Sequence, residues 1–275
     1  MTIEAEAKSW IGKTLVREDV VSPRLISEFE ATLKPYLAMC EGAPLGFHWC
    51  LCPDILTNDK MGRDGHPLLG VFLPEVGLPR RMWAGGEITY HGIIHSADHV
   101  KRVSTIEDVT FKAGKSGKLC FVTLRHHHSV ADTLVIDDRQ DIVYREESAL
   151  KAAPPAADKF EQPAGSLRIR VTPTLLFRYS AITFNGHRIH YDEPYARNVE
   201  HYAGLVVHGP MQATLMLNLA ATRLGRTPER FSYRGFNPLM CGQAFYIDTN
   251  LNDTGGLATR VLDANGIKTM TGSVD

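Results

Sequence analysis

Alternating apolar and polar residues occupy two long parts of the chain, and both parts are predicted to form antiparallel β-sheet. The strands predicted in the first part cover residues 87–94, 99–112, 119–130 and 133–146. Those predicted in the second part cover residues 167–172, 230–236, 243–249, 257–261 and 268–271. The first four strands follow one another through turn residues, so we expect a meander with one face free to pack on a helix.

Apolar residues at helical spacing mark two helices. Residues 24–33 carry Leu25 and Phe29 on one face. Residues 210–224 are apolar over most of their surface, and Gly225 follows as a C-terminal signal. The broad apolar surface of this second helix predicts burial on most sides, in the curve of an antiparallel sheet.

In two segments the apolar residues show no sustained helical or strand periodicity. Residues 8–21 are interpreted as a leading segment without an assigned strand or helix. Residues 42–86 are rich in Gly, Pro and isolated apolar residues, and they are too long for a plain connector. We therefore expect residues 42–86 to wrap a surface or to line a pocket.

The most linker-like part of the chain is residues 147–166, which are rich in Ala, Pro and charged residues. We predict a domain over residues 1–150, a linker over 151–166 and a second domain over 167–275. The order of elements in the first domain is compatible with a second copy of the other, but no residue-level repeat relates the two halves.

Composition narrows the class of protein. The chain has 275 residues, of which 44% are hydrophobic and 22% are charged, as is ordinary for a soluble globular protein. Lys+Arg 30 against Asp+Glu 31 leaves a net charge of −1, so no basic field indicates a nucleic-acid partner. No apolar run approaches the ~20 residues of a membrane span, and residues 1–10 lack the apolar core of a signal peptide. We expect a cytoplasmic protein with no membrane partner.

Two groups of candidate metal ligands are interpreted as structural. His48, Cys50 and Cys52 would share one face of a strand, but no second ligand pair follows at zinc-like spacing, which favours buried thiols. The cysteines number five, and we expect them to be reduced thiols. His126 and His128 could share an ion from one strand face, but a polar strand face is the simpler interpretation. We expect no metal site.

The chemistry is expected between residues 177 and 216. Asn185 and His190 lie in a polar loop, and Gly209 follows at the start of the long helix. A helix start leaves backbone N–H groups without intrahelical partners, and Gly209 would present one of them toward the loop. A histidine base near such donors suits a substrate that passes through an oxyanion or an enolate. The structural interpretation of Gly209, as helix punctuation, is compatible with this role.

Four motifs carry a resemblance to a known family. They are TFNGHRIH over residues 183–190, VHG over 207–209, RMWAGG over 81–86 and DIVYRE over 141–146. The first two resemble the S-G-D-x-N-P-x-H and V-x-H-G signature of the MaoC-like, or (R)-specific enoyl-CoA hydratase, family. The forms F-N-x-H-R-I-H-Y-D and V-H-G-P are similar to those of the type 2 hydroxyacyl-thioester dehydratases and the related mesaconyl-C4-CoA and itaconyl-CoA hydratases.

The resemblance implies an α+β double hot-dog, that is, two hot-dog domains, each an antiparallel sheet wrapped on a helix. It implies a hydro-lyase that hydrates an unsaturated acyl-CoA, with coenzyme A as part of the substrate and no separate cofactor. His190 would be the acid–base residue and Gly209 the oxyanion donor, both in the C-terminal domain, while the N-terminal domain would form the acyl pocket. The residues expected to bind the substrate are Arg188, Tyr191, His208, Arg178 and Trp83.

Asn185 departs from the wider family, in which an Asp serves as a second acid–base residue. Asn cannot transfer a proton under ordinary conditions. Three possibilities stay open: His190 transfers the protons alone, another carboxylate substitutes, or the protein has a different function. We favour the first, with Asn185 orienting the water, because the similar subfamily also has Asn at this position. An Asx turn is the structural alternative for Asn185.

The subfamily implies a short dicarboxyl substrate, such as itaconyl-CoA or mesaconyl-C4-CoA, and a role in itaconate degradation. A distal carboxylate would need a cationic partner in the acyl pocket, and several arginines are available. The alternatives are a (3R)-hydroxyacyl-thioester dehydratase of fatty acid metabolism, a hot-dog acyl-CoA thioesterase and a non-catalytic acyl-CoA binder. A homodimer stays open, because the two domains could also pair their sheets within one chain.

Overall fold

The computed structural model describes residues 2–114, 117–146, 160–253 and 255–275. Within these ranges, the α-helices are α1 (Ile3–Lys8), α2 (Pro23–Leu33), α3 (Pro173–Ile182), α4 (Glu193–Asn198) and α5 (Gly209–Leu224). The strands are β1 (Thr14–Val20), β2 (Arg80–Tyr90), β3 (His99–Gly114), β4 (Gly117–Val130), β5 (Thr133–Arg145), β6 (Leu167–Arg170), β7 (Arg230–Gly235), β8 (Ala244–Leu251), β9 (Leu257–Leu262) and β10 (Lys268–Val274). Short 3-10 helices cover Phe47–Cys50, Asn58–Lys60 and Arg188–His190.

The strands form one 10-stranded sheet in the order β1-β3-β4-β5-β2-β7-β10-β9-β8-β6. Every strand pairing in it is antiparallel. Strands β1 to β5 lie together on one side and strands β6 to β10 on the other, and the β2–β7 pair joins the two sides, with Ile88 opposite Phe231. The sheet therefore consists of two halves that follow one another along the chain.

Helix α5 is the centre of the hydrophobic core. All residues from Met211 to Ala221 are buried, and the helix packs on β7, β8, β9 and β10. It begins with Gly209 and Pro210 and ends before Gly225, whose φ of 68° is a left-handed conformation that glycine adopts at little cost. The helix predicted over residues 210–224 and its burial are confirmed.

The predicted meander is wrong at its first strand. β2 begins at Arg80 instead of residue 87, and it pairs with β5 and β7 instead of β3. Gly85 and Gly86 lie inside this strand, where neighbouring backbone leaves no room for a side chain. A Cβ at Gly85 would lie 2.7 Å from the carbonyl oxygen of Tyr233, and a Cβ at Gly86 would overlap that of Arg139. These glycines permit close strand packing and do not mark a boundary.

Two further elements were not expected from the sequence. Strand β1 occupies part of the leading segment and pairs with β3, with Val16 opposite Val103. Helix α3 follows β6, where a loop was expected. The Thr172 hydroxyl caps it by accepting a hydrogen bond from the N–H of Leu175 at 3.2 Å, and Pro173 occupies its first position. The Thr-Pro pair was the available signal for this helix start.

The irregular segment 42–86 and the residues just before it are held against the core helix α5 by hydrogen bonds. The Asn218 side chain of α5 donates to the carbonyl of Leu45 at 3.0 Å and accepts from the N–H of Ala38 at 2.9 Å. Both ends of this buried amide are therefore satisfied by backbone that has no strand partner.

The remaining expectations concern the linker and the surroundings of the protein. Residues 151–159 of the predicted linker, and residues 147–150 before it, lie outside the described residues, and the domain boundaries stay a prediction. In the described ranges, no helix is long and apolar enough to cross a membrane. The cytoplasmic location and the homodimer stay predictions as well.

Candidate active site

A cavity of about 780 Å³ is lined by residues from both halves of the chain. Asn185, His190 and Gly209 lie in its wall, and so do Trp83 and Asp138 from the first half of the chain. The structure therefore brings together the three residues to which the sequence analysis assigns the chemistry, together with two of the expected substrate-binding residues, Trp83 and Tyr191.

His190 is positioned as a neutral base. It lies at the end of the 3-10 helix Arg188–His190, and its Nδ1 is 2.7 Å from the carbonyl oxygen of Val206. Because a carbonyl only accepts hydrogen bonds, Nδ1 carries the proton and Nε2 has a free lone pair. Burial lowers the pKa of His190 to about 3, and the Val206 hydrogen bond offsets part of that shift. The imidazole is therefore neutral at physiological pH and able to accept a proton.

Two other histidines hold the His190 ring in place. The ring of His208 stacks on it with centroids 3.6 Å apart, and the ring of His187 meets it edge-on at 5.3 Å. His208 is fully buried, and its Nε2 lies 2.8 Å from the Ser180 hydroxyl. Burial lowers the pKa of both His187 and His208 well below its usual value. The three rings are therefore uncharged, and packing fixes their orientation.

Gly209 combines a free donor with close packing. It is the first residue of α5, so its N–H has no carbonyl partner within the helix, and Pro210 next to it has no N–H. A Cβ at Gly209 would lie 2.6 Å from Cε3 of Trp83. The Trp83 ring is in turn held by its Nε1 donating to Gln140 at 3.2 Å and by stacking on Tyr233 at 4.5 Å. Only glycine lets the indole pack against this helix start.

Asn185 forms the Asx turn that the sequence analysis left as an alternative. Its Oδ1 accepts a hydrogen bond from the N–H of His187 at 2.9 Å. The residue before it, Phe184, adopts a φ of 51°, so the loop turns sharply at this point. Its Nδ2 makes no hydrogen bond to any residue within the described ranges, and the side chain lines the cavity. The turn and a role in holding water are therefore compatible.

The expected substrate-binding residues differ in position. Trp83 and Tyr191 line the cavity, and the hydroxyl of the half-exposed Tyr191 donates to the carbonyl of Gly186 at 3.0 Å. Arg188, Arg178 and His208 do not line it. The Arg188 guanidinium is bound to Asp192 at 2.7 Å, Arg178 is exposed on α3, and His208 is enclosed behind His190.

The structure places the candidate metal ligands of the sequence analysis in a 3-10 helix and the segment after it, and on strand β4. His48 and Cys50 lie in a 3-10 helix instead of a strand, and both thiols of the Cys-x-Cys pair are buried. His126 and His128 share the inner strand face as expected, while His127 points outward with 45% of its side chain exposed. His126 bonds the Ser104 hydroxyl at 2.7 Å through Nδ1.

Sequence reasoning missed three residues beside the motif loop. Asp64, His66 and His187 offer ligand atoms that all lie within 4.8 Å of one another. His187 stands inside the matched motif, and His66 follows a short turn sequence in the irregular segment 42–86. Nothing in the sequence indicates that the two histidines meet, because 120 residues separate them along the chain.

A family model described as hydroxyacyl-thioester dehydratase type 2 matches residues 46–241. This match includes the irregular segment, the motif loop and the start of α5. The chain belongs to the type 2 hydroxyacyl-thioester dehydratase family. This type 2 dehydratase homologue is 38% identical over 239 residues to the mesaconyl-C(4)-CoA hydratase of Chloroflexus aurantiacus, and the alignment covers 86% of the chain and 85% of that relative.

Two solved structures show which fold this protein has. HtdX of Mycobacterium tuberculosis has a TM-score of 0.69 at 20% identity, covering 95% of this chain and 99% of that one. A conserved protein of Mycobacterium tuberculosis with a double hotdog fold has a TM-score of 0.59 at 14% identity, covering 96% and 95%. The α+β double hot-dog is therefore confirmed. The family membership makes the protein a hydro-lyase of the hydratase and dehydratase type, as predicted.

Proposed function

We propose that this protein is an acyl-CoA hydratase that adds water across the double bond of a short unsaturated thioester with a second carboxylate, such as mesaconyl-C4-CoA or itaconyl-CoA. The observation that carries the proposal is the free Nε2 of His190 in the same cavity as the helix start at Gly209. The 38% identity to a mesaconyl-C(4)-CoA hydratase supports the CoA-thioester chemistry.

The proposed mechanism uses three groups of the motif loop and helix start. The N–H of Gly209 donates to the thioester oxygen, and Nδ2 of Asn185 donates to the oxygen of the attacking water. On mesaconyl-C4-CoA, whose double bond is conjugated with the thioester, Nε2 of His190 takes a proton from that water while the hydroxyl bonds to the β-carbon, and the π electrons move to the thioester oxygen as an enolate. In the simplest form, His190 then returns the proton to the α-carbon on the same face.

A second carboxylate on the substrate needs a cation close to the histidines. In mesaconyl-C4-CoA the free carboxylate is bonded to the β-carbon, the carbon that gains the hydroxyl. Arg81 lines the cavity on β2 and forms no ion pair with a carboxylate of the described residues. After burial itself, the charge of Arg81 is the next cause that lowers the pKa of His66. Arg81 is therefore the proposed partner of that carboxylate.

Polar residues of the first half of the chain in the cavity wall argue against a long apolar acyl chain. They are His126, His128, Asp138 and Arg102. The Arg102 Nε is buried without a hydrogen-bond partner in the described part of the chain. A (3R)-hydroxyacyl-thioester of fatty acid metabolism would favour an apolar wall here, because burying unpaired polar groups against hydrocarbon is costly.

The test compares hydration of mesaconyl-C4-CoA, itaconyl-CoA and crotonyl-CoA by the wild type, His190→Ala and His95→Ala. We expect the dicarboxyl substrates to react fastest and His190→Ala to lose about 1,000-fold in kcat, within the usual range for an acid–base residue. His95, half-exposed away from the cavity, is the matched control and should retain wild-type activity. Equal rates for wild type and His190→Ala would refute the assignment, and release of CoA from saturated thioesters would indicate a thioesterase.

Arg81→Gln in the same assay tests the substrate class. We expect it to lower kcat/KM on the dicarboxyl thioesters and to leave crotonyl-CoA unaffected, because crotonyl-CoA has no carboxylate to bind. Equal losses on all three substrates would remove Arg81 as the carboxylate partner. Preference of the wild type for crotonyl-CoA would leave the hydratase chemistry intact and reject the dicarboxyl substrate.

A further inference from the structure

Residues 61–67 form a tight turn that is docked on the motif loop. The N–H of Arg188 donates to the carbonyl of Asp64 at 2.8 Å, and the Arg188 guanidinium donates to the carbonyl of Arg63 at 3.0 Å. Gly65 adopts a φ of 85°, and a Cβ there would overlap the carbonyl of Gly186. Contact between the two backbones therefore fixes the position of this turn relative to the catalytic loop.

The docked turn presents one imidazole to the cavity. Nδ1 of His66 lies 2.9 Å from Oδ2 of Asp64, and Oδ1 of the same carboxylate accepts from the N–H of His66 at 3.0 Å. The His66 ring lines the cavity and lies 4.1 Å from the ring of His187, which in turn contacts His190. The carboxylate assigns the proton to Nδ1 and leaves Nε2 of His66 with a free lone pair.

Asp64 is ionised, and this sets His66 apart from the other histidines of the site. Burial acts to raise the pKa of Asp64, but hydrogen bonds from the side chain and backbone N–H of His66, together with the charge of Arg81, hold it at about 2. His187, His190 and His208 have no carboxylate partner among the described residues. A proton taken by His190 alone would place a positive charge on a buried ring without a counter-ion, which is unfavourable.

We propose that His66, oriented by Asp64, is a second catalytic acid–base residue of this site and protonates the α-carbon. It takes the place of the carboxylate that the wider family has at position 185, where this chain has Asn185. This inference rests on the proposed function and extends it from one proton-transferring histidine to two.

The proton that is taken from water is delivered to the substrate within one turnover. Nε2 of His190 takes a proton from water as the hydroxyl bonds to the β-carbon, and the enolate forms on the thioester oxygen. That proton passes through a cavity water to Nε2 of His66, so that the positive charge lies beside Asp64. His66 then gives the proton to the α-carbon, the enolate electrons form the new C–H bond, and both imidazoles are neutral again.

The first experiment measures His66→Ala and Asp64→Asn on the thioester that the wild type hydrates best. We expect kcat to fall about 100-fold in each variant with KM changed less than threefold, because a proton-transfer step is lost and binding is not. Asp64→Asn removes the charge that supports a protonated His66 and leaves a side chain of similar size. Asp59→Asn, an exposed carboxylate in the preceding 3-10 helix, is the matched control and should behave as wild type.

Chemical rescue separates catalysis from a structural role. Added imidazole should restore at least tenfold of the kcat lost in His66→Ala, with a rate that depends on the pKa of the rescuing base, and should have no effect on Asp59→Asn. A wild-type rate in His66→Ala, or a loss of activity that imidazole does not restore in a folded variant, would overturn the inference. Loss of wild-type activity on dialysis against a chelator would also overturn it, because Asp64, His66 and His187 would then hold a metal ion.

The outcome distinguishes this inference from the proposed function. If the wild type hydrates the thioester and His190→Ala is inactive, the proposed function stands whatever the His66 variants do. If the wild type hydrates none of the thioesters, the proposed function fails, and the inference about His66, which rests on it, fails as well.

Discussion

Two groups of histidines lie at the same cavity, one around strand β4 in the first half of the sheet and one around the motif loop. The first-half group is His48, His126, His128 and the neighbouring Asp138. The motif group is His66, His187, His190 and His208, of which His208 is enclosed behind His190. Burial lowers the pKa of histidines in both groups, to about 3 for His48 and for His190. Both groups also contain ring nitrogens without partners among the described residues, on His48 and on His208.

The groups differ in what surrounds the rings. In the motif group, the Val206 carbonyl fixes the tautomer of His190, and the free N–H of Gly209 lies in the same cavity. In the first-half group, the carboxylate of Asp138 accepts from Trp49 at 3.0 Å and from Gln140 at 2.6 Å, and His48 is 3.7 Å away. Strands use their N–H groups in the ladder and so offer few free donors.

Burial and a lowered pKa therefore do not identify a catalytic histidine in this fold. Both properties follow from enclosing an imidazole in the protein interior, and both groups have them. The distinguishing features are a tautomer fixed by an acceptor and a free backbone donor at a helix start. Variants in each group can test whether this distinction holds.

After His190→Ala, the largest effect is expected for Gly209→Ala, which changes the helix start of the motif group. The new Cβ would lie 2.6 Å from the Trp83 ring, so either the indole or the helix start must move. We expect kcat/KM to fall at least about 100-fold, as when an oxyanion donor is lost. Gly204→Ala is the control, because its Cβ would meet nothing closer than 3.5 Å. Full activity in folded Gly209→Ala would mean that the helix start is not used.

An intermediate effect is expected at Asn185, where two substitutions separate the turn from the water contact. Asn185→Ala removes the acceptor for the N–H of His187 and should lower kcat by about 10- to 100-fold, because the loop loses its turn and its donor. Asn185→Asp keeps the acceptor and removes the Nδ2 donor, and we expect it to lose about tenfold. Wild-type kcat in Asn185→Asp would reduce the role of Asn185 to the Asx turn alone.

The smallest effect on activity is expected for Asp138→Asn in the first-half group, within about threefold of wild-type kcat, because this carboxylate is engaged by Trp49 and Gln140. A loss as large as that of Gly209→Ala would contradict the distinction between the two groups, because the first-half group would then take part in catalysis.

The same variant should show a clear effect on stability. Burial raises the pKa of Asp138 to about 6, above its usual value, so ionising it disfavours the folded state as pH rises through 6. The free energy of unfolding of Asp138→Asn relative to wild type should therefore rise between pH 4 and pH 8, by up to about 3 kcal/mol. Urea unfolding of both proteins at the two pH values measures this difference. A constant difference would mean that Asp138 titrates normally.

Sequence patterns over neighbouring residues correctly predicted helix α5 and most of the strands. Helix α5 follows from apolar spacing, the Gly-Pro start and Gly225, and the ends of the predicted strands other than β2 differ from prediction by at most three residues. Strand β2 was misplaced because Gly85 and Gly86 resemble punctuation, whereas the close approach of Tyr233 and Arg139 explains them. That approach is a property of strand order, which periodicity does not contain.

The sequence by itself determined the motif loop, the long buried helix and the family, because these depend on residues that are near one another in the chain. Only the tertiary structure decided that β2 joins the two halves, that Trp83 packs on Gly209, and that His66 meets His187. These contacts join segments that are far apart in sequence. They arise from burying α5 and docking the 61–67 turn on the motif loop, so no local pattern could reveal them.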